Sequence, residues 1–288
     1  MNNILSLLRV HQWVKNGFII FPLVFSGLFR DWDKCIAVAI VIGAFCFIAS
    51  SVYIFNDLLD SKRDLQHPKK KLRPLSAGSI KPVTAALIAV LLLLIGAYSC
   101  FMVNVGVGVL VIIYVALHLV YNFWAKNVVI LDVFFIAFGF LIRVWIGSWV
   151  IGVSPSMWLL MCVFVLSLFL GFNKRRAEIT LLKDSAVAHR QALLEYNTYL
   201  LDQLAVITST LTVVFYGLYT ISPEIVARLG GHQLTYSLAF VIFGIFRYLY
   251  LVHVKQQGDE PGELLLSDAP MLINALLWLV YVGLVFYR

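Results

Sequence analysis

Residues 35–64 read CIAVAIVIGAFCFIASSVYIFNDLLDSKRD, and the two parts of this stretch obey different rules. The first, 35–55, carries no charged residue. As a helix rising about 1.5 Å per residue, it is long enough to cross a hydrocarbon core about 30 Å thick. The second part is polar and sets Asp57, Asp60 and Asp64 at spacings of three and four. If the helix runs on past residue 55, those carboxylates share one face. Carboxylates crowded on one face repel each other and need a cation. Mg2+ suits them, because it takes a few carboxylates and keeps its other positions for water and phosphate oxygens. The plainer alternative is a solvated juxtamembrane loop. For three aspartates abutting an apolar helix, the metal reading takes precedence.

The apolar pattern recurs along the chain. Of 288 residues, 61% are hydrophobic and 13% charged, against about 45–50% and about 25% in a soluble domain. That excess has to face lipid, so the chain reads as one all-α polytopic bundle over 1–288 embedded in a bilayer. Nine runs of spanning length lie near 14–29, 35–55, 81–103, 105–123, 128–152, 155–172, 199–221, 233–253 and 268–287. They lack the alternation of a membrane barrel. The largest polar loops, 56–80 and 173–198, differ in sequence, so no internal repeat is read. The four cysteines sit in or beside apolar runs and read as small buried residues, not as a disulfide framework. The first sixteen residues lack the cleavage pattern of a signal peptide.

The net charge is +7. In a soluble protein this suggests nucleic acid, but here placement argues otherwise. Sixteen basic residues fall in the N-terminus and the loops after even-numbered runs, against four (Arg30, Lys34, Arg228, Arg288) on the opposite side. The positive-inside rule puts the N-terminus and both large loops in the cytoplasm, with the chain in the inner membrane and no nucleic acid as partner.

In the first loop, Lys69, Lys70, Lys71 and Arg73 suit an anionic substrate or a leaving diphosphate. For the lysines taken alone, contact with anionic lipid headgroups is the favoured reading. In the second loop, Lys174, Arg175 and Arg176 precede Glu178. They read either as a phosphate site or as positive-inside anchoring with a Lys174–Glu178 pair, worth about 0.3–0.5 kcal/mol. Arg143 lies inside the fifth run. A charge at that depth costs at least about 2.5–3.5 kcal/mol on insertion scales. It therefore faces either a cavity with an anionic group or a hydrogen-bonding neighbour helix. Asp268 reads as a helix cap, and Tyr121 with Trp124 as interfacial aromatics.

The pattern N-D-x-x-D-x-x-x-D (Asn56, Asp57, Asp60, Asp64), the nine runs and R-P-L-x-x-G (Arg73, Pro74, Leu75, Gly78) resemble the first motif region of the UbiA superfamily of intramembrane prenyltransferases. Most members carry a second D-x-x-x-D after the sixth helix, where this chain has Lys174, Arg175 and Arg176. That departure is similar to one branch, the decaprenyl-phosphate phosphoribosyltransferases. Further likenesses are R-x-x-Q-W-x-K-N (Arg9, Gln12, Trp13, Lys15, Asn16), His67–Pro68–Lys69, H-R-x-x-L-x-x-Y (His189, Arg190, Leu193, Tyr196), and Gly258, Pro261, Leu265 and Asp268. Val10 stands where that branch has proline.

The resemblance implies a UbiA-like fold and Mg2+ on Asp57, Asp60 and Asp64. It also implies transfer of 5-phosphoribosyl from phosphoribosyl diphosphate to a polyprenyl phosphate, with inversion at C1. Asn56, Lys15, Lys69, Arg73, Tyr121, Lys126, Arg143, Lys174, Arg175, Arg176, Glu178 and Arg190 are the residues expected around the substrates. The alternative within the superfamily moves a prenyl group from prenyl diphosphate to an aromatic acceptor. The missing second Asp motif argues against it. A transporter, the remaining alternative, fits poorly with the lack of an inverted repeat.

Overall fold

The structure is a computed structural model that describes residues 3–66, 70–182, 191–258 and 261–287. Among the described residues there is no strand, and eight helices are long and apolar enough to cross a membrane.

The chain starts with α1 (Asn3–Leu8) and kinks at Arg9. Val10–Ile20 then winds as a 3-10 helix, followed by α2 (Phe21–Phe25). The first expected run is thus not a straight α-helix. A 3-10 helix rises about 2.0 Å per residue against about 1.5 Å for an α-helix, so the two pieces together reach about 30 Å. The segment lies against α3 (Trp32–Asp64) and α6 (Leu131–Ile151), with Gln12, Asn16 and Ile19 buried. Gly147 of α6 makes this approach possible, because a Cβ there would stand 2.1 Å from the Ile19 carbonyl oxygen.

Helix α3 begins at Asp31, whose carboxylate accepts from the Lys34 amide at 3.3 Å. It continues unbroken for 33 residues, about 50 Å. It therefore projects well beyond a hydrocarbon core of about 30 Å. Residues 56–64, expected at the start of a loop, are its last turns. α4 (Pro82–Val103) opens on a proline, whose missing N–H is no loss at a helix start. Extended Asn104 separates it from α5 (Val105–Phe123) and caps the latter, accepting from the Gly106 amide at 2.7 Å. α6 stops at Gly152, left-handed at φ 69°. Then come α7 (Met157–Leu182), α8 (Gln191–Glu195), α9 (Thr198–Thr220), α10 (Pro223–Leu229), α11 (Leu238–His253), α12 (Pro261–Ser267) and α13 (Ala269–Tyr287). These long helices overlap the eight later runs read from the sequence.

Helices α3 and α7 are the inner ones, each 56% buried over its most apolar window, whereas α13 is 6% buried and faces lipid. One core packs Val41, Phe45 and Ile48 of α3 against Tyr114 of α5, Ile146 of α6 and Ile19. A second joins Leu160 and Val163 of α7 to Tyr216 and Tyr219 of α9. Successive long helices alternate in direction. The C-terminal ends of α3, α5, α7 and α11 therefore share one face with the N-terminal ends of α4, α6, α9 and α13. Ion pairs between Asp60 and Lys126, Asp132 and Arg175, and Arg176 and Asp202 all lie on that face.

Candidate active site

The projecting end of α3 carries Asp57, Asp60 and Asp64, and each carboxylate meets a cation from a different part of the chain. Arg9 reaches Asp57 with both arms of its fork: Nε donates to Oδ2 at 3.2 Å and Nη2 donates to Oδ1. Such bidentate pairing fixes direction as well as charge. The guanidinium also lies over the Tyr53 ring, 5.3 Å from its centroid. To point there, Arg9 takes φ 51°, a conformation uncommon for a residue with a Cβ. Arg73 Nη1 donates to Asp57 Oδ1 at 3.0 Å and to Asp64 Oδ2 at 2.5 Å. Burial, and then the nearby Arg9 charge, pull the Arg73 pKa below the ordinary arginine value, while the two aspartates act to raise it. Lys126, on the short 3-10 turn Ala125–Asn127 after α5, donates to Asp60 Oδ1 at 2.7 Å.

The expected convergence of three carboxylates is therefore only partial. Asp57 and Asp64 share Arg73, while Asp60 turns to Lys126. Among the described residues, no three His, Cys, Asp or Glu side chains are grouped closely enough to hold a metal as they stand. The donor chemistry nevertheless suits a hard cation. All donors are oxygens, and the amide oxygen of Asn56, one helical turn from Asp60, is buried without a hydrogen-bond partner.

A second polar centre joins α6 and α7. Asp132 and Arg175 are 0% and 2% exposed. Arg175 donates through Nε to Asp132 Oδ2 at 2.6 Å and through Nη1 to Glu178 Oε2 at 2.5 Å. The other Asp132 oxygen accepts from the Tyr196 hydroxyl at 2.8 Å, and that hydroxyl accepts from the Ile130 amide at 2.6 Å. Ile130 stands at φ 69°, which a β-branched residue rarely tolerates, so this bond holds a strained turn. Burial and the Asp132 charge push the Tyr196 pKa up, keeping the phenol neutral. Glu178 also meets Lys70 at 3.9 Å, tying the turn after α3 to α7.

The three consecutive basic residues separate, because neighbours on a helix differ by about 100° in direction. Arg175 turns inward, Arg176 donates to Asp202 of α9 at 2.6 Å, and Lys174 is half-buried. Tyr121 is half-buried at the end of α5, within electrostatic reach of Arg175, and Lys15 is half-buried on the 3-10 segment. Arg143 lies deeper. Its Nε donates to Asn16 Oδ1 at 3.1 Å, Nη1 to the Gly139 carbonyl at 2.8 Å and Nη2 to the Tyr114 hydroxyl at 3.0 Å. Asp268 caps α13 through the Met271 amide at 3.0 Å and also pairs with Arg247. Lys69 and Arg190 lie outside the described residues.

Two of these residues carry no sequence signal that marks them as site residues: Arg9 stands in the R-x-x-Q-W pattern, and Asp132 is a single acid near the start of an apolar run.

The chain is similar to known proteins along its whole length. The chain is 29% identical to the decaprenyl-phosphate phosphoribosyltransferase of Mycolicibacterium smegmatis, over 100% of this chain and 93% of that one. It is 30% identical to the enzyme of the same name from Corynebacterium glutamicum, over 99% and 87%. A UbiA homolog from Archaeoglobus fulgidus, solved with GPP and Mg2+, superposes at a TM-score of 0.72 with 16% identity, covering 100% of both chains. The profile of the UbiA prenyltransferase family matches residues 19–276, and the chain is an integral membrane protein of that family.

Proposed function

We propose that the protein transfers 5-phosphoribosyl from phosphoribosyl diphosphate to the phosphate of a polyprenyl phosphate, releasing diphosphate. Full-length similarity to enzymes named for this reaction supports the reading. The observation that carries it in this chain is the balance of charge. Arg9, Arg73 and Lys126 attend three carboxylates. Where most of the superfamily has a second acidic motif, this chain has Lys174, Arg175 and Arg176. Two phosphorylated substrates call for basic side chains where a second metal cluster would need carboxylates.

The acceptor oxygen on the lipid phosphate is already ionised at neutral pH and needs no strong base. It forms a bond to C1 of the ribose as the bond from C1 to the diphosphate breaks on the opposite face. The product is inverted at C1, and the transition state has oxocarbenium character. Arg9, Arg73 and Lys126 exchange their carboxylate partners for phosphate oxygens as the substrates arrive, so the guanidinium forks hold both reactants in line. The inward Arg175, fixed by Asp132 and Glu178, braces α6 against α7 beside the site without itself moving. Asp57, Asp60 and Asp64, with Asn56, would hold Mg2+, which neutralises charge on the departing diphosphate. The face bearing these groups is the cytoplasmic one, and the membrane is the inner membrane.

The test is the lipid product. Purified protein with Mg2+, phosphoribosyl diphosphate and polyprenyl phosphate should yield a lipid heavier by one phosphoribosyl group, with the β-configuration at C1. Consumption of a prenyl diphosphate with an aromatic acceptor, and no ribosylated lipid, would move the protein to the other chemistry of its family.

A further inference from the structure

One cavity adjoins the acidic helix end through Asp60 and Lys126, and its other lining residues have no part in the mechanism above. Between the ends of α3 and α5 lies a cleft of about 290 Å³, whose lining includes Leu59, Asp60, Lys62, Arg63, Phe123 and Lys126. Resting on the phosphoribosyl-transfer reading, we propose that this cleft docks the phosphate head of the polyprenyl phosphate, which approaches sideways from the bilayer along α5.

Charge is the first ground. Three of these residues are cations and one is a carboxylate, which Lys126 already neutralises at 2.7 Å. The remaining field is positive and draws an anion. Lys62 and Arg63 are exposed, so they can follow a headgroup while their stems lie along apolar surface.

The second ground is the wall. Phe123 is 66% exposed and Leu59 45%. Exposed Leu119, Val120 and Trp124 extend this apolar surface along α5. A soluble sugar diphosphate has no use for such a wall. An isoprenoid chain can lie on it while its phosphate sits among the cations.

Continuity is the third. Asp60 and Lys126 line the cleft and also belong to the acidic helix end. A phosphate arriving in the cleft competes with Asp60 for Lys126 and is brought beside the donor site in the same exchange.

The test uses two readouts. In the double variant Lys62→Gln/Arg63→Gln, KM for polyprenyl phosphate should rise about tenfold, while KM for phosphoribosyl diphosphate stays within about twofold. An unchanged lipid KM, or an equal rise in both, overturns the proposal. Independently, a benzophenone side chain at position 123 should photo-crosslink radiolabelled polyprenyl phosphate in micelles. Excess unlabelled polyprenyl phosphate should abolish the adduct, and excess phosphatidylglycerol should not. Equal competition by phosphatidylglycerol assigns the cleft to bulk anionic lipid and overturns the proposal. Crosslinking needs no turnover. Failure of the unaltered protein to ribosylate lipid, which defeats the phosphoribosyl reading, is thereby distinguished from failure of docking.

Discussion

Arg175 is the most enclosed of the basic residues on the acidic face, and its environment decides what it can do. With Asp132 and Glu178 on two sides, it serves as a fixed charge. Breaking such a pair strands a buried ion, which costs about 3–5 kcal/mol, whereas removing both charges together costs less. Asp132→Asn and Arg175→Met should each lower the thermal midpoint substantially. The double variant should lose clearly less than the sum, as a double-mutant cycle in detergent would record. Additive losses would mean that the two residues act separately. Asp57 behaves differently. Asp57→Asn keeps the shape of the side chain and part of its bonding to Arg9, so the fold should persist. Transfer should fall about 100-fold or more, since the lost charge serves the reaction. A steady-state assay beside a melting curve checks both halves. The Asp57, Asp60 and Asp64 constellation was legible in the sequence because spacings of three and four mean one helix face wherever the helix continues. Arg9 was not, because its reach to Asp57 depends on a left-handed kink that no local pattern announces. The separate directions of Lys174, Arg175 and Arg176 follow from helix geometry, since adjacency along a helix sends side chains apart.

At the scale of elements, the informative piece is the segment Val10–Ile20. The run over 14–29 predicts an α-helical span, yet the chain through Ile20 is wound as a 3-10 helix and lies against α6. Hydrophobic content cannot reveal this, since the two helix types share it. What fixes the segment is tertiary: Gly147 against the Ile19 carbonyl, and Arg143 holding Asn16. Gly147→Ala should therefore displace the segment and destabilise the protein by about 1–3 kcal/mol. Because the same segment carries Arg9, KM for phosphoribosyl diphosphate should rise as well. A stability loss with unchanged KM would show that the position of Arg9 does not depend on this contact. The eight longer helices were legible from apolar length alone. The continuation of α3 through Asp64 was conditional on the sequence and is settled by its unbroken hydrogen bonding.

Among the described residues, the inter-helix ion pairs Asp60–Lys126, Asp132–Arg175 and Arg176–Asp202 gather on one face. With α13 starting on the charged face, the C-terminus ends on the opposite one. Alkaline phosphatase fused after residue 288 should be active in a bacterial host, and the same reporter fused after a truncation at Leu72 should be inactive. The reverse pattern would invert the molecule and remove the site from cytoplasmic substrates. In the proposed reaction a lipid phosphate, not a prenyl diphosphate, is the reacting lipid. Diphosphate release measured in micelles with each component omitted in turn tests it most directly. Release should require phosphoribosyl diphosphate, polyprenyl phosphate and Mg2+ together. Release from phosphoribosyl diphosphate at the same rate without the lipid, or release only from a prenyl diphosphate, would contradict it.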